Sequence, residues 1–387
     1  MVKNISIILD SYLPDKRVER EAKALVEAGH NVSMFCFSKG DSYEIDGLFI
    51  DYFKPSFLVR KALAVAIDLP IYHWLLKIPV KKFIRKTKPD VIHVHDMTIA
   101  GLIFSLRNKE KIVLDLHENR PIIMGYYPHI NKPLGKLLIN LDRWKKAEHK
   151  YARLADRLIL VTEEAKNDYK HLNQHITVLP NTIEKSEIEE VEFDDSIIEK
   201  FNSHFVITYV GDLGIRRGIF DALEAIKLLK DKIPSIKLVL VGDSSERYQY
   251  EAFVQSNALN KYVSFEGYQP HIKLFSYIKV SKIGISPLHR NRHHDTTYAN
   301  KIFQYMAMGR CQIVSDCPAQ KNVVDGEGAG LSYTSKKPAE LAEAILRLYE
   351  DEGLRKQMEQ KAQMLFKNKY NWEKMRTPLI DLYDSLD

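Results

Sequence analysis

Residues 295–316 read DTTYANKIFQYMAMGRCQIVSD, and their pattern decides the fold class. The cap-type residues Thr296, Thr297 and Asn300 precede an apolar run at helical spacing: Ile302, Phe303, Met306 and Ala307. Gly309 stands where a left-handed residue closes a helix, and 311–314 then reads as a short buried strand. Loop, amphipathic helix and buried strand in that order are one step of an α/β sheet. A polar loop opening such a helix presents unpaired backbone N–H groups and the positive end of the helix dipole, which suits an anion. Gln304 lies about one turn in, within reach of a ligand held there. Standing alone, the stretch reads as an ordinary sheet-packing helix; the rest of the chain changes its meaning.

Outward from it, the alternation continues in both directions. Toward the N-terminus, strands are expected at 206–210, 237–241, 262–265 and 283–286, with a loop GDLGIRRG at 211–218 and a helix over 219–229. Earlier still, strands are expected at 5–9, 31–37, 90–95, 111–117, 158–161 and 176–179, with a helix over 18–28 stopped by Gly29. The first strand–helix loop lacks G-x-G-x-x-G, so nothing there supports a dinucleotide site. Between the two series, 183–203 is acidic and weakly patterned, as an interdomain linker with a short helix would be. The tail 370–382 carries Trp372 and Leu379 at helical spacing, with Ile380 and Tyr383, and reads as a packed helix.

A chain of 387 residues is too long for one core, so two domains are expected. A hydrophobic fraction of 45% and a charged fraction of 28% fit a globular protein, and a net charge of +6 does not by itself argue for nucleic acid. That charge suits anionic small substrates or an anionic membrane surface. Cys36, Cys311 and Cys317 show no metal-ligand spacing and read as buried thiols of a cytosolic protein. Met1 leads directly into the strand at 5–9, so no signal peptide is expected, and 61–80 is too interrupted to span a membrane. Alternation puts His93 and His95 on one strand face. A metal there is geometrically possible, but with no carboxylate-rich pattern beside them the expectation is satisfied buried imidazoles and no metal.

The order of LPNTIE (179–184), GDLGIRRG (211–218) and YANKIFQYMAMG (298–309) resembles the retaining glycosyltransferases of family 4. The stretch PDKRVEREAKALVEAGHNVSMF (14–35), the strand-end HEN at 117–119 and the YNW at 370–372 strengthen it, and they are similar to bacterial polysaccharide-building members. The resemblance runs from residue 5 to the last helix. It implies the GT-B fold, two Rossmann-like domains whose parallel sheets face a central cleft. The implied domains are 1–183 for the acceptor, 184–203 as linker, 204–366 for the donor, and 367–387 as a helix packing back on the first.

The resemblance also implies roles. A nucleotide-diphosphate sugar is the donor substrate, with no further cofactor, and cations rather than a metal meet its developing charge. Arg217 matches the family's phosphate-binding cation, Arg216 assists, and His117 orients or polarises near the donor sugar. Gly211, Gly242, Thr297, Asn300, Lys301 and Gln304 complete the donor-binding set, while Glu118 and Asn119 are placed toward sugar or acceptor. The sequence departs from the family at three places: Asp212 stands where a second cation is common, and Thr296 and Gln304 replace the two acids of E-x7-E. Gln304 keeps an acceptor oxygen for a ribose diol but no charge. These departures keep a silent sugar-nucleotide-binding subunit open as an alternative, with a nucleotide-sugar epimerase as a second.

The expected acceptor is a lipid-linked glycan of bacterial surface polysaccharide. Residues 53–88 mix Phe57, Leu58 and Trp74 with many Lys and Arg, and offer a peripheral contact with the inner face of an anionic cell membrane; core-packing helices with solvated lysines are the equal alternative. Specificity is expected in the loops 10–17, 119–129 and 289–298, where HRNRHHD (289–295) would suit a donor with an acidic sugar.

Overall fold

The computed structural model describes residues 1–39, 45–127 and 130–386; Pro128 and His129 of the 119–129 loop lie outside them. The chain forms two compact units, Met1–Pro180 with Arg376–Asp387, and Asn181–Met375.

Among the described residues the first unit has a parallel sheet of seven strands. They are β1 (Asn4–Tyr12), β2 (Asn31–Phe37), β3 (Phe49–Phe53), β4 (Val91–His95), β5 (Lys111–Leu116), β6 (Arg157–Leu160) and β7 (Ile176–Val178), in the order β3-β2-β1-β4-β5-β6-β7. Helices cover both faces, so the central strands are mostly apolar: Ile5, Ile7, Ile8 and Leu9 of β1 and Ile112, Val113 and Leu114 of β5 are all buried. The order reverses direction between β1 and β4, and the carboxyl ends at such a switch point form the ligand-binding edge of an open α/β sheet. Register places His95 beside Asp115 there. The helix Lys16–Glu27 is started by Asp15, whose carboxylate accepts from the N–H groups of Arg17 and Val18. Its buried face carries Arg17 and Glu21 beside Val18, Ala22 and Leu25. Residues from Arg376 onward join this unit, where Arg157 Nη2 donates to the Ser385 carbonyl at 3.0 Å.

The second unit repeats the plan with six strands among its described residues. They are β8 (Phe205–Val210), β9 (Ile236–Val241), β10 (Val263–Gly267), β11 (Ile283–Ser286), β12 (Cys311–Ser315) and β13 (Gly330–Tyr333), ordered β10-β9-β8-β11-β12-β13. The switch point lies between β8 and β11. The helix of the opening stretch is Lys301–Ala307, anchored by Tyr305, whose hydroxyl donates to the Thr208 carbonyl at 3.0 Å. Gly284 of β11 makes room for that ring, since a Cβ there would lie 2.5 Å from it. Residues 184–203 contain two short helices, Ser186–Glu189 and Asp195–Phe201, and belong to this unit. Asp194 N–H donates to Ser276 Oγ at 2.9 Å, tying that stretch to the helix His271–Val280.

Candidate active site

At the carboxyl edge of the second sheet, Gly211 follows β8 and Gly242 follows β9. Gly242 has φ +144°, and a Cβ on it would fall 1.9 Å from the Gly211 carbonyl oxygen, so the two strand ends approach closely only because no side chain intervenes. The loop after Gly211 is pinned from below: Tyr209 Oη donates to the Asp212 carbonyl at 2.6 Å and Tyr250 Oη to the Leu213 carbonyl at 2.7 Å. A single turn, Ile215–Arg217, then presents both arginines, and Gly218 at φ +75° ends it where a Cβ would meet the Pro287 carbonyl at 1.7 Å.

Lys301 reaches this glycine edge from its helix. Its Nζ lies 3.3 Å from the centroid of the Tyr209 ring and would contact a Cβ on Gly211 at 3.5 Å. Burial, with the Arg217 charge adding to it, holds the Lys301 amine well below its usual range. Among the described residues this lysine forms no ion pair. Arg217 Nε donates to Asp212 Oδ2 at 3.3 Å. Thus the position expected to carry a second cation holds an anion that restrains the first.

The opening stretch needs two corrections. Thr296 Oγ1 donates to the Arg292 carbonyl at 2.8 Å and Thr297 Oγ1 to the His293 carbonyl at 2.7 Å. Both therefore satisfy the end of a short preceding helix, Arg292–Asp295, rather than opening Lys301–Ala307. Asn300 occupies the N-cap position without a side-chain cap bond. Gln304 is buried and its Nε2 lies 3.4 Å from His271 Nε2. The basic loop is partly paired within itself. Arg290 is bound by both Asp295 oxygens at 2.8 and 3.0 Å, while burial pushes His293 down to about 3 and His294 to about 4. Arg290 is thus partly neutralised within the loop, while Arg292 stays exposed on it.

In the first unit, His117 follows β5 at the ligand edge, and its Nε2 lies 2.8 Å from His95 Nδ1 and 3.5 Å from Asp115 Oδ2. Burial pulls this imidazole down, but the Asp115 and Asp96 charges outweigh it and push it up to about 9. Behind it lies a charged core that sequence reading did not assemble. Arg17 Nη2 donates to both Asp115 oxygens at 3.1 and 3.0 Å, and its Nε faces Glu21 at 3.0 Å. Burial and then Asp115 push Glu21 up to about 8, while Arg17 and His117 overcome burial to keep Asp115 well below the carboxylate range. His93 and His95 stack at 4.3 Å between centroids, but their Nε2 atoms have no hydrogen-bond partner among the described residues, so the expected satisfied imidazoles are only half satisfied. Two carboxylates also stand beside them, contrary to the expectation of none.

Asp96, which the sequence sets beside the two histidines, stands at the same edge. It follows β4 with φ 65° and ψ 163°, a conformation nearly restricted to glycine, and strain of ~1–3 kcal/mol of that kind gathers at functional sites. Asp10 near the end of β1 is half-buried and accepts from Tyr72 Oη at 2.7 Å. Glu118 pairs loosely with Arg120 at 3.8 Å, and Asn119 caps the helix Arg120–Met124 by accepting from Ile122 N–H. Glu118 and Asn119 were expected from the resemblance, whereas the signal for Asp10 and Asp96 was position alone, near or just past a strand's carboxyl end.

In comparison with known proteins, residues 16–187 match the family model Glycosyltransferase Family 4, and residues 190–364 match Glycosyl transferases group 1. An uncharacterized glycosyltransferase of Methanocaldococcus jannaschii is 25% identical over 289 residues, 72% of this chain and 69% of its own. Sucrose-phosphate synthase of Thermosynechococcus elongatus has a TM-score of 0.75 at 18% identity, covering 98% of both chains. HepE of Anabaena, solved in complex with UDP, has a TM-score of 0.73 at 14% identity over 100% of both. At these identities the two structures establish a shared fold of paired Rossmann-like domains.

Proposed function

The chain belongs to the family 4 glycosyltransferases of the GT-B fold, and on that premise we propose that it transfers a sugar, with retention, from a nucleotide-diphosphate donor to a lipid-linked glycan. The observation that carries the donor half is Lys301: a buried amine with no ion-pair partner among the described residues, at a glycine edge where backbone can approach a ligand closely. Keeping a charge there is costly unless an anion meets it, and a diphosphate is the anion of matching size. Arg217 supplies a second cation by sharing its Asp212 contact, with Arg216 beside it in the turn. Gln304, one helical turn beyond Lys301, offers an acceptor and a donor to the ribose hydroxyls. The UDP held by HepE is consistent with such a ligand.

For the acceptor half, the first unit presents an apolar and basic face. Helix Ile71–Thr87 buries Tyr72, Leu76, Val80 and Phe83 in the core, while Trp74 is 73% and Ile78 80% exposed among Lys77, Lys81, Lys82 and Arg85. Helix Phe57–Ala62 adds exposed Phe57 and Leu58 with Arg60 and Lys61. The only acid of the stretch, Asp68, is turned away and accepts from Trp144 Nε1 at 2.7 Å. Such a face suits peripheral binding to anionic lipid, and no helix among the described residues is long and apolar enough to cross a membrane. A lipid-linked acceptor in bacterial surface polysaccharide synthesis, met at the inner face of the cell membrane, fits both features. His117, at the edge of this unit, orients or polarises the reacting groups.

Thermal unfolding against a panel of nucleotides and nucleotide sugars tests this reading, since a ligand of the native state raises the midpoint by mass action. One base family raising it, with the rise lost in Arg217→Ala, and turnover following with the matching donor, is the expected outcome. No rise with any member refutes it. A rise without turnover favours the silent-subunit alternative, which the loss of both acids at Thr296 and Gln304 motivates.

A further inference from the structure

Four buried side chains of the first unit aim donor atoms at one point: Glu21 from the helix Lys16–Glu27, His93 and His95 from β4, and Asp115 from β5. One donor atom of each lies within 4.8 Å of all the others. His93 Nε2 is 3.7 Å from Glu21 Oε2 and 3.9 Å from Asp115 Oδ2, and His95 Nε2 is 3.9 Å from the same Glu21 oxygen. These separations are too long for hydrogen bonds. Among the described residues His93 Nε2, His95 Nε2 and Glu21 Oε2 have no hydrogen-bond partner, although His93 and Glu21 are 0% exposed and His95 2%. Buried polar atoms are seldom left so, and three that converge call for a shared partner.

The surroundings indicate what that partner is. Each imidazole is fixed through its other nitrogen: His93 Nδ1 lies 2.8 Å from Tyr383 Oη, and His95 Nδ1 2.8 Å from His117 Nε2. Asp115 is held by Arg17, which also faces Glu21 Oε1 at 3.0 Å and leaves Oε2 turned to the histidines. Outer groups that lock ring orientation and carboxylate direction, leaving Nε2 and one oxygen of each acid convergent, are the second layer of a metal site. Ligands ~2.1 Å from a tetrahedral centre stand ~3.4 Å apart, so these three separations would close onto an ion with shifts of about half an ångström. Two imidazoles with carboxylates suit zinc, whereas magnesium and calcium prefer oxygen throughout.

We propose that Glu21, His93, His95 and Asp115 bind a zinc-class divalent ion that braces the first helix against β4 and β5. A metal on His95 Nε2 fixes the ring whose Nδ1 lies 2.8 Å from His117 Nε2. The ion thereby becomes a positioning element for His117. It is no partner of the phosphates, and it stands whether or not the donor reading holds.

The test uses the whole protein, stripped with chelator and titrated with zinc chloride, with magnesium chloride as control. Expected are one zinc retained per chain after dialysis, a rise in the unfolding midpoint with zinc alone, and the visible absorption of four-coordinate cobalt on substitution. Crystals of the zinc-loaded protein should give an anomalous peak among the four side chains. Zinc uptake should be lost in His93→Ala and His95→Ala and weakened in Glu21→Gln, which keeps the side chain's shape. Because the alanine variants can fail to fold, the anomalous map of the unaltered protein decides. No stoichiometric zinc, a peak elsewhere, or uptake surviving in folded histidine variants would overturn the assignment.

Discussion

Lys301→Met separates a binding role from a structural one, because the two predict opposite signs. In the free protein the ammonium is buried against Tyr209, 8% of the residue is exposed, and burial depresses its basicity. Methionine fills similar space, covers the same ring with a polarizable sulfur and carries no charge to desolvate. The free variant should therefore unfold at the same temperature as the parent or higher. Its affinity for the most stabilising nucleoside diphosphate should fall. A charge-assisted hydrogen bond contributes ~1.5–3 kcal/mol, which corresponds to ~10–150-fold in Kd. Calorimetric titration reads the affinity and thermal unfolding the stability. A pH series adds a check on sign. The depressed native pKa means the unfolded state takes the proton first, so this lysine's contribution is complete above its ordinary pKa of 10.5 and declines as pH falls toward the native value. The parent should thus gain stability relative to the variant as pH rises toward that limit. A variant that binds within about twofold of the parent, or that is clearly less stable while binding normally, would refute the reasoning.

Gly242→Ala should cost at least ~3 kcal/mol in denaturant unfolding, because its Cβ would lie 1.9 Å from a backbone oxygen at a φ of +144°; an alanine variant within ~1 kcal/mol of the parent would contradict the close approach. Trp74→Glu with Ile78→Glu should leave the unfolding midpoint nearly unchanged, since both side chains are exposed, yet abolish sedimentation with vesicles containing anionic lipid. Sedimentation equal to the parent's would remove that face as the membrane contact.

The parts of the fold visible in sequence are those with strong local signals. Ile5–Leu9 and Val206–Val210 are apolar runs that only a strand covered on both faces explains, and Gly29 and Gly309 mark helix ends at φ +89° and +61°. β3 escaped notice because its five residues are only partly buried, and β13 because it begins with glycine and spans four. Arg292–Asp295 looked like a charged loop, yet Asn291 Oδ1 accepts from His294 N–H at 3.0 Å and turns it into a helix. At the candidate site, Gly211, Gly242 and Lys301 came from the resemblance to the family, and local pattern gave only their places at strand ends and a helix start. Glu21 and Arg17 were legible in neither. A charged residue on a helix counts as solvent-facing in any periodicity argument, and the partner that lets Arg17 stay buried, Asp115, lies 98 residues along the chain. Burial of charge is decided by tertiary pairing, which one sequence read alone does not display.

The placement of Arg376–Asp387 in the first unit bears on how the protein is made. A ribosome releases Met1–Pro180 early, but the Tyr383 hydroxyl that meets His93 arrives only after the whole of Asn181–Met375 has been synthesised. At ~5–20 residues per second that intervening stretch imposes a delay of ~10–40 s. Throughout that interval the nascent first unit holds a buried imidazole whose hydroxyl partner has not yet been translated. Its last step of assembly is therefore timed by the synthesis of the other unit.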